Sequence, residues 1–371
     1  MDTPPSSPSR PTKRTLDWSE LAPWQRDNPG ILTGYRRLTN SWIGCLNSLG
    51  WWHNETVNIW SHLLGAGVVL VSSTALFILR DASKLFWLHL PASAQSEKTL
   101  LATFLTGAAV CFVTSAAFHA SICHSQPVAK YMNRVDYFGI LVLGTVNYFP
   151  TFHYAFYCAP TLRNLYIAMM TVSGSTGIYL ACSPRYASPE YRRMRTYTFF
   201  SCGGVVILPF IHAMWRNGLQ EANCAISFNW ILAEAAFYVG GALLYSERFP
   251  ECRWPGRFDI FGSSHQIFHV CSLLAVWAHY KSVESSFHYR HAVRGGTLMI
   301  PKRMLDEWPK YCARVIPSDA MFRIAPAEKE ELRPENHPLM RPGAMPRKVA
   351  AMVTEGLVDG DEEDGEDELN K

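Results

Sequence analysis

Five side chains have the types and places to hold a metal ion and put it to work. His265-Gln-Ile-Phe-His269 sets two imidazoles four residues apart, which stacks them one turn apart on a single helical face. Zinc takes histidine nitrogen at about 2.0 to 2.1 Å, and three protein ligands with an open fourth position form the usual catalytic arrangement. His119 supplies the third candidate ligand. Asp136 leaves three roles open: it binds the metal, holds its water, or orients a ligating histidine from behind. Ser115, one turn before His119, hydrogen-bonds either to the metal water or to a backbone carbonyl. The plain alternative is that a helical histidine is ordinarily just hydrogen-bonded and that His-x-x-x-His arises often by chance. What weighs against it is where the fold must bring these residues.

Of the 371 residues, 48% are hydrophobic and 18% charged, and charges are scarce in seven apolar runs. The runs fall near 59–79, 99–122, 136–159, 164–182, 196–215, 225–245 and 261–283. A helix needs about 20 such residues to cross a hydrocarbon core roughly 30 Å thick. The fold class read from this is an all-α, seven-transmembrane-helix bundle, integral and multi-pass, in the plasma membrane or the endoplasmic reticulum. The first run begins too far from Met1 for a cleaved secretion signal.

Lysine and arginine near helix ends stay on the cytosolic side. With the N-terminus inside, the inner loops carry Lys130, Arg134, Arg185, Arg192, Arg193, Arg195, Arg248, Arg253 and Arg257, and the outer loops only Arg80, Lys84, Lys98, Arg163 and Arg216. Lys281, Arg290 and Arg294 lean the other way. The expectation is an N-terminus in the cytosol and a C-terminus outside it. His119 then ends the second helix, Asp136 starts the third, and His265 with His269 starts the seventh. All four meet on the cytosolic face, where an ionisable group at membrane depth is costly unless paired or metal-bound.

Glu55, Asn58 and His62 form a second cluster at the start of the first helix, on one face by their spacing of three and four residues. Helix capping and loop anchoring are the favoured reading, with metal ligation the alternative. Glu234, mid-way along the sixth run, should face the bundle interior, either as a protonated structural group or on a substrate or proton path. His124, His153, His212 and His279 read as ordinary polar packing or interfacial residues. The cysteines make no Cys-x-x-Cys pair and read as small buried hydrophobes. Asn54-Glu55-Thr56 matches a glycosylation pattern that would face the cytosol.

By organisation, residues 1–17 read as a disordered, Pro/Ser-rich basic segment and 18–58 as a cytosolic juxtamembrane region with short interfacial helices. Residues 59–283 read as the transmembrane domain, and 284–371 as a largely disordered tail with an acidic end. No internal repeat supports a duplicated transporter.

The motifs WQRDNPGILTGYR, ETVNIWSHLLG, SAAFHASICHS, VDYFGI, the ERFP to PGRFDI loop and SHQIFHVCSLLAVWAH occur in order over roughly residues 20–283. In these the chain resembles the progestin and adipoQ receptor family, which takes in adiponectin receptors, fungal homologues and haemolysin III-like proteins. The resemblance implies seven helices, a cytosolic N-terminus and zinc on His119, His265 and His269. It matches Asp136 to the acid near the zinc water and Ser115 to the motif serine. It further implies hydrolysis of the amide of ceramide-like lipids. The metal would lower a water's pKa toward about 7 and stabilise the oxyanion, with Asp136 as general base and then proton donor to the departing amine. Expected partners are membrane lipids, a ceramide-like substrate or free fatty acid in the bundle cavity, an extracellular protein ligand and a second copy of the chain, but no nucleic acid. The alternatives are a signalling receptor with a structural zinc, or a regulator of zinc or sterol homeostasis without hydrolysis. The tail of roughly 90 residues beyond the seventh run departs from the short tails of adiponectin receptors.

Overall fold

The computed structural model describes residues 14–78, 95–157, 159–183, 201 and 203–293. Among these, the helices are α1 (Trp42–Ser48), α2 (Thr56–Ile78), α3 (Gln95–Ser121), α4 (Gln126–Val146), α5 (Phe149–Ala155), α6 (Pro160–Cys182), α7 (Ile207–Asn217), α8 (Leu219–Ile226), α9 (Phe228–Ser246) and α10 (Ser264–Val293). Four stretches, Thr56–Ala75, Ser96–Ser121, Pro160–Cys182 and Phe228–Ser246, are long and apolar enough to cross a membrane. They correspond to the predicted runs 59–79, 99–122, 164–182 and 225–245. Leu64, Val68 and Val71 of α2 stand exposed at helical spacing, as a lipid-facing side requires. Small residues let the helices close up. A Cβ on Gly139 would come within 2.0 Å of Thr114 Oγ1, so α3 and α4 approach there nearly backbone to backbone.

Three predicted runs are drawn differently. The run 136–159 is two helices, because α4 begins earlier, at Gln126 behind the N-cap residue Ser125, and stops at Val146. Pro150 is the second residue of α5, and its missing N–H and fixed φ break the run into two helices. Asp136 therefore lies inside α4 rather than at a helix start. The run 196–215 falls partly outside the described residues, and α7 covers its end. The seventh run extends to Val293, since Ser282 bonds to the Ile226 carbonyl at 2.7 Å, Ser227 to Ser285 Oγ at 2.5 Å, and Arg290 Nε to the Tyr154 carbonyl at 3.1 Å. These polar side chains find partners inside the protein, so the end of hydrophobicity at 283 does not end the helix. Thr15–Leu16 pairs antiparallel with Tyr35–Arg36, so the segment expected to be disordered gains order from its last residues. The tail from 294 lies outside the described residues.

The segment before α1 and the segment between α9 and α10 are tied into one platform. Asp259 accepts from the Leu32 amide at 2.9 Å and from Thr33 Oγ1 at 2.7 Å. Glu251, fully buried, accepts from Asn28 Nδ2 at 3.0 Å, from the Ser264 amide at 2.7 Å and from the Ser264 hydroxyl. A carboxylate at the first residue of α10 suits the positive end of the helix dipole. Gln266 completes the clamp by donating to the Ile260 carbonyl at 2.9 Å and accepting from Gly262 N–H at 2.6 Å. The start of α10 is fixed in position.

Deeper in the bundle, Glu234 of α9 faces the interior with none of its surface exposed. Its carboxylate accepts from Asn147 Nδ2 at 2.6 Å, Tyr148 OH at 3.1 Å and His279 Nδ1 at 2.7 Å. Asn147 and Tyr148 occupy the break between α4 and α5, so three chain segments share one polar knot.

Candidate metal centre

The clamped start of α10 presents His265 and His269, and the last turn of α3 presents His119 to them. Arg36 secures that turn by donating to the carbonyls of His119 at 2.5 Å and Ala120 at 3.0 Å, two of the acceptors a helix end leaves without partners. One nitrogen from each of His119, His265 and His269 lies within 4.8 Å of the others. The three rings stand nearly perpendicular in pairs, 4.8 to 4.9 Å between centroids. The convergence expected from the helix ends is present in the fold.

The other nitrogens explain which face the interior of the cluster. His119 Nδ1 lies 2.7 Å from Glu55 Oε2. A carboxylate only accepts, so Nδ1 carries the proton and Nε2 keeps its lone pair. That Nε2 is buried and has no protein partner. His269 Nδ1 donates to the Asn58 carbonyl at 3.1 Å, which leaves its Nε2 as the free base. Imidazoles held at one nitrogen by a carboxylate or carbonyl are the normal state of metal-ligating histidines. The donor set therefore fits a zinc ion.

Glu55 is where the sequence reading needs correction. It neither caps α2 nor joins the converging nitrogens. Its carboxylate orients His119 and is itself held by Asn58 Nδ2 at 2.7 Å. The cap falls to neighbours: Thr56 Oγ1 accepts from the His53 amide at 2.9 Å, and His53 Nδ1 accepts from the Glu55 amide at 3.1 Å. The spacing of Glu55, Asn58 and His62 was a sound signal of a shared face. It could not name a partner 64 residues away.

Asp136 is buried on α4, with His119 and Ser115 near enough to act on it. It stands outside the converging trio. His62 stacks on His269, 3.8 Å between ring centroids and 16° between planes. Outside the centre, His124 packs on Trp42 at 4.7 Å, His212 bonds to Tyr166 OH, and Arg163 reaches His153 Nδ1 at 3.4 Å. His279 is the exception to the reading as ordinary packing, being the direct partner of Glu234. Cys224 is disulfide-bonded, which corrects the reading of every cysteine as a plain small hydrophobe, whereas Cys45, Cys111 and Cys123 are free and buried.

A family model described as haemolysin-III related matches residues 50–280. The "Adiponectin receptor protein" of Drosophila melanogaster is 32% identical over 75% of this chain and 60% of its own length. The "ADIPOR-like receptor IZH2" of Saccharomyces cerevisiae is 33% identical over 75% of this chain and 86% of its own. "Heptahelical transmembrane protein 1" of Arabidopsis thaliana is 32% identical over 72% of this chain and 80% of its own. The chain thus spans about 60% of the length of the animal relatives it matches and 80% or more of these yeast and Arabidopsis ones.

Proposed function

Because this chain belongs to the haemolysin-III-related family of multi-pass membrane proteins, together with adiponectin receptor-like relatives, we propose that it is a zinc-dependent hydrolase of lipid amides such as ceramides. The observation that carries the reading is the trio His119, His265 and His269, buried at His119 and His269 and half-buried at His265, with one nitrogen of each within 4.8 Å of the others, and the carboxyl of Asp136 near His119. When bound, zinc supplies Lewis acidity and lowers the pKa of a water toward about 7. His119 and His269 offer Nε2 because Glu55 and Asn58 hold their Nδ1 protons. Asp136 takes the proton from the attacking water and returns it to the departing amine. Ser115 lies near that carboxyl, and the platform built on Glu251 and Gln266 fixes the start of α10.

Seven membrane crossings with the N-terminus in the cytosol belong to the same proposal. The relatives called heptahelical support the count. The excess of arginine and lysine in the inner loops supports the orientation. So does the disulfide at Cys224, since disulfides persist on the oxidising side. A second reading, a receptor whose zinc is structural and whose ligand is an extracellular protein, draws on the receptor names of the relatives. Structural zinc is normally closed by four protein ligands, and only three histidines converge among the described residues.

The test is bound zinc, measured by mass spectrometry, alongside ceramide hydrolysis by purified wild type and His269→Ala. Roughly one zinc per chain, with metal and turnover both lost in the variant, is expected. Zinc without turnover favours the receptor reading, and absence of zinc removes both.

A further inference from the structure

His62 is the buried side chain at the metal centre that the proposed chemistry leaves without a task. It is 4% exposed, and neither ring nitrogen closes a hydrogen bond. One nitrogen approaches the backbone of His269 without bonding to it. The ring lies flat on His269 and meets Phe112 at 4.9 Å, so it lies parallel to a ligand rather than joining the converging set. Gly65, about one turn further along α2, has no side chain to hold α10 away: a Cβ there would come within 2.3 Å of Leu273 Cδ2. The fold thus brings an imidazole against the metal centre and leaves its polar atoms unused, which costs stability unless something arrives to bond them.

We propose that His62 is a recognition residue for a hydroxyl of the lipid, so that the substrates are amides carrying a free hydroxyl close to the amide. This rests on the reading of the centre as a lipid amide hydrolase. The chemistry selects the group. A neutral imidazole has one donor and one acceptor nitrogen, and which is which depends on the tautomer. A carbonyl serves only the donor and an amide N–H only the acceptor, whereas a hydroxyl serves either. A site that hydrogen-bonds a substrate hydroxyl rejects the analogue lacking it, because its own buried polar atom is then left without a partner.

The experiment compares binding and turnover of three lipids, an N-acyl sphingosine and its 1-deoxy and 3-deoxy analogues, by zinc-loaded wild type, His62→Leu and His62→Gln. Wild type is expected to prefer the full lipid over at least one analogue by roughly 10-fold or more. His62→Leu should keep its zinc and bring that ratio close to 1, and His62→Gln, which retains an acceptor and donors, should keep most of it. Equal affinity of wild type for all three lipids overturns the proposal without any variant. So does an unchanged ratio in His62→Leu, or loss of zinc in His62→Gln, which would make His62 part of the metal's support. If no lipid is turned over but the affinity ratio exists and depends on His62, the hydrolase reading falls while the recognition site stands.

Discussion

An imidazole gives a metal its lone pair only when its other nitrogen has somewhere to place a proton. For His119 that place is Glu55, and the pair makes a direct prediction. Glu55→Ala should weaken zinc binding roughly 10- to 100-fold, read by competition against a chelator of known affinity, with helix content unchanged. Unaltered affinity would reduce the 2.7 Å contact to packing. Asp136 calls for the opposite pattern, because it lies outside the converging nitrogens. Asp136→Asn should retain zinc and lose about 10²- to 10⁴-fold in ceramide turnover; full turnover would remove Asp136 from proton transfer. The three histidines could be read from sequence because His265 and His269 share a helical face and because the helix ends bring His119 to the same level. The role of Glu55 could not, since nothing local distinguishes an acid that orients a distant imidazole from one that caps its own helix.

At the scale of elements, apolar runs located the long helices and misjudged where they break and stop. Pro150 sits inside an unbroken apolar run, so hydropathy alone passes over it, yet it divides α4 from α5 and frees Asn147 and Tyr148 to bond Glu234. Glu234 and His279 are both fully buried, and removing one partner of such a pair costs about 3 to 5 kcal/mol, whereas replacing both with apolar residues is far milder. Glu234→Leu should therefore lower the unfolding temperature more than Glu234→Leu with His279→Leu. A double variant less stable than the single would mean the knot stabilises the bundle outright. The start of α2 carries a pH dependence. Burial first, and then the Arg36 guanidinium, hold the His53 imidazole down to about 4, while in the unfolded chain it titrates near 6.5. Below about 6.5 the unfolded state takes up a proton that the folded state refuses. This contribution is thus complete above that pH and is lost as pH falls toward about 4. His53→Gln should flatten the fall in unfolding temperature between about pH 7 and pH 5 relative to wild type, and parallel curves would count against it.

For the whole molecule, everything turns on which side of the membrane the metal centre faces. The 19 residues of α9, from Phe228 to Ser246, span about 28 Å at 1.5 Å per residue, close to the thickness of a bilayer's hydrocarbon core. Cys224 lies just before its start, and the segment leading to His265 lies just after its end. A disulfide persists where the compartment is oxidising, so in the proposed topology the disulfide at Cys224 belongs at the non-cytosolic end of α9 and the candidate metal centre at its cytosolic end. The charge distribution of the loops leads independently to the same orientation. Cys252, free and exposed in the segment between α9 and α10, is a ready reporter. A membrane-impermeant maleimide, followed by mass spectrometry of the modified peptides, should leave Cys252 untouched in intact cells. It should modify Cys252 once the plasma membrane alone is opened by digitonin, whichever membrane holds the protein. Cys224 should react only after reduction. Modification of Cys252 in intact cells, or its protection after digitonin, would turn the bundle over. The centre would then face the oxidising side, and a hydrolase working on lipids from the cytosolic face would no longer be tenable.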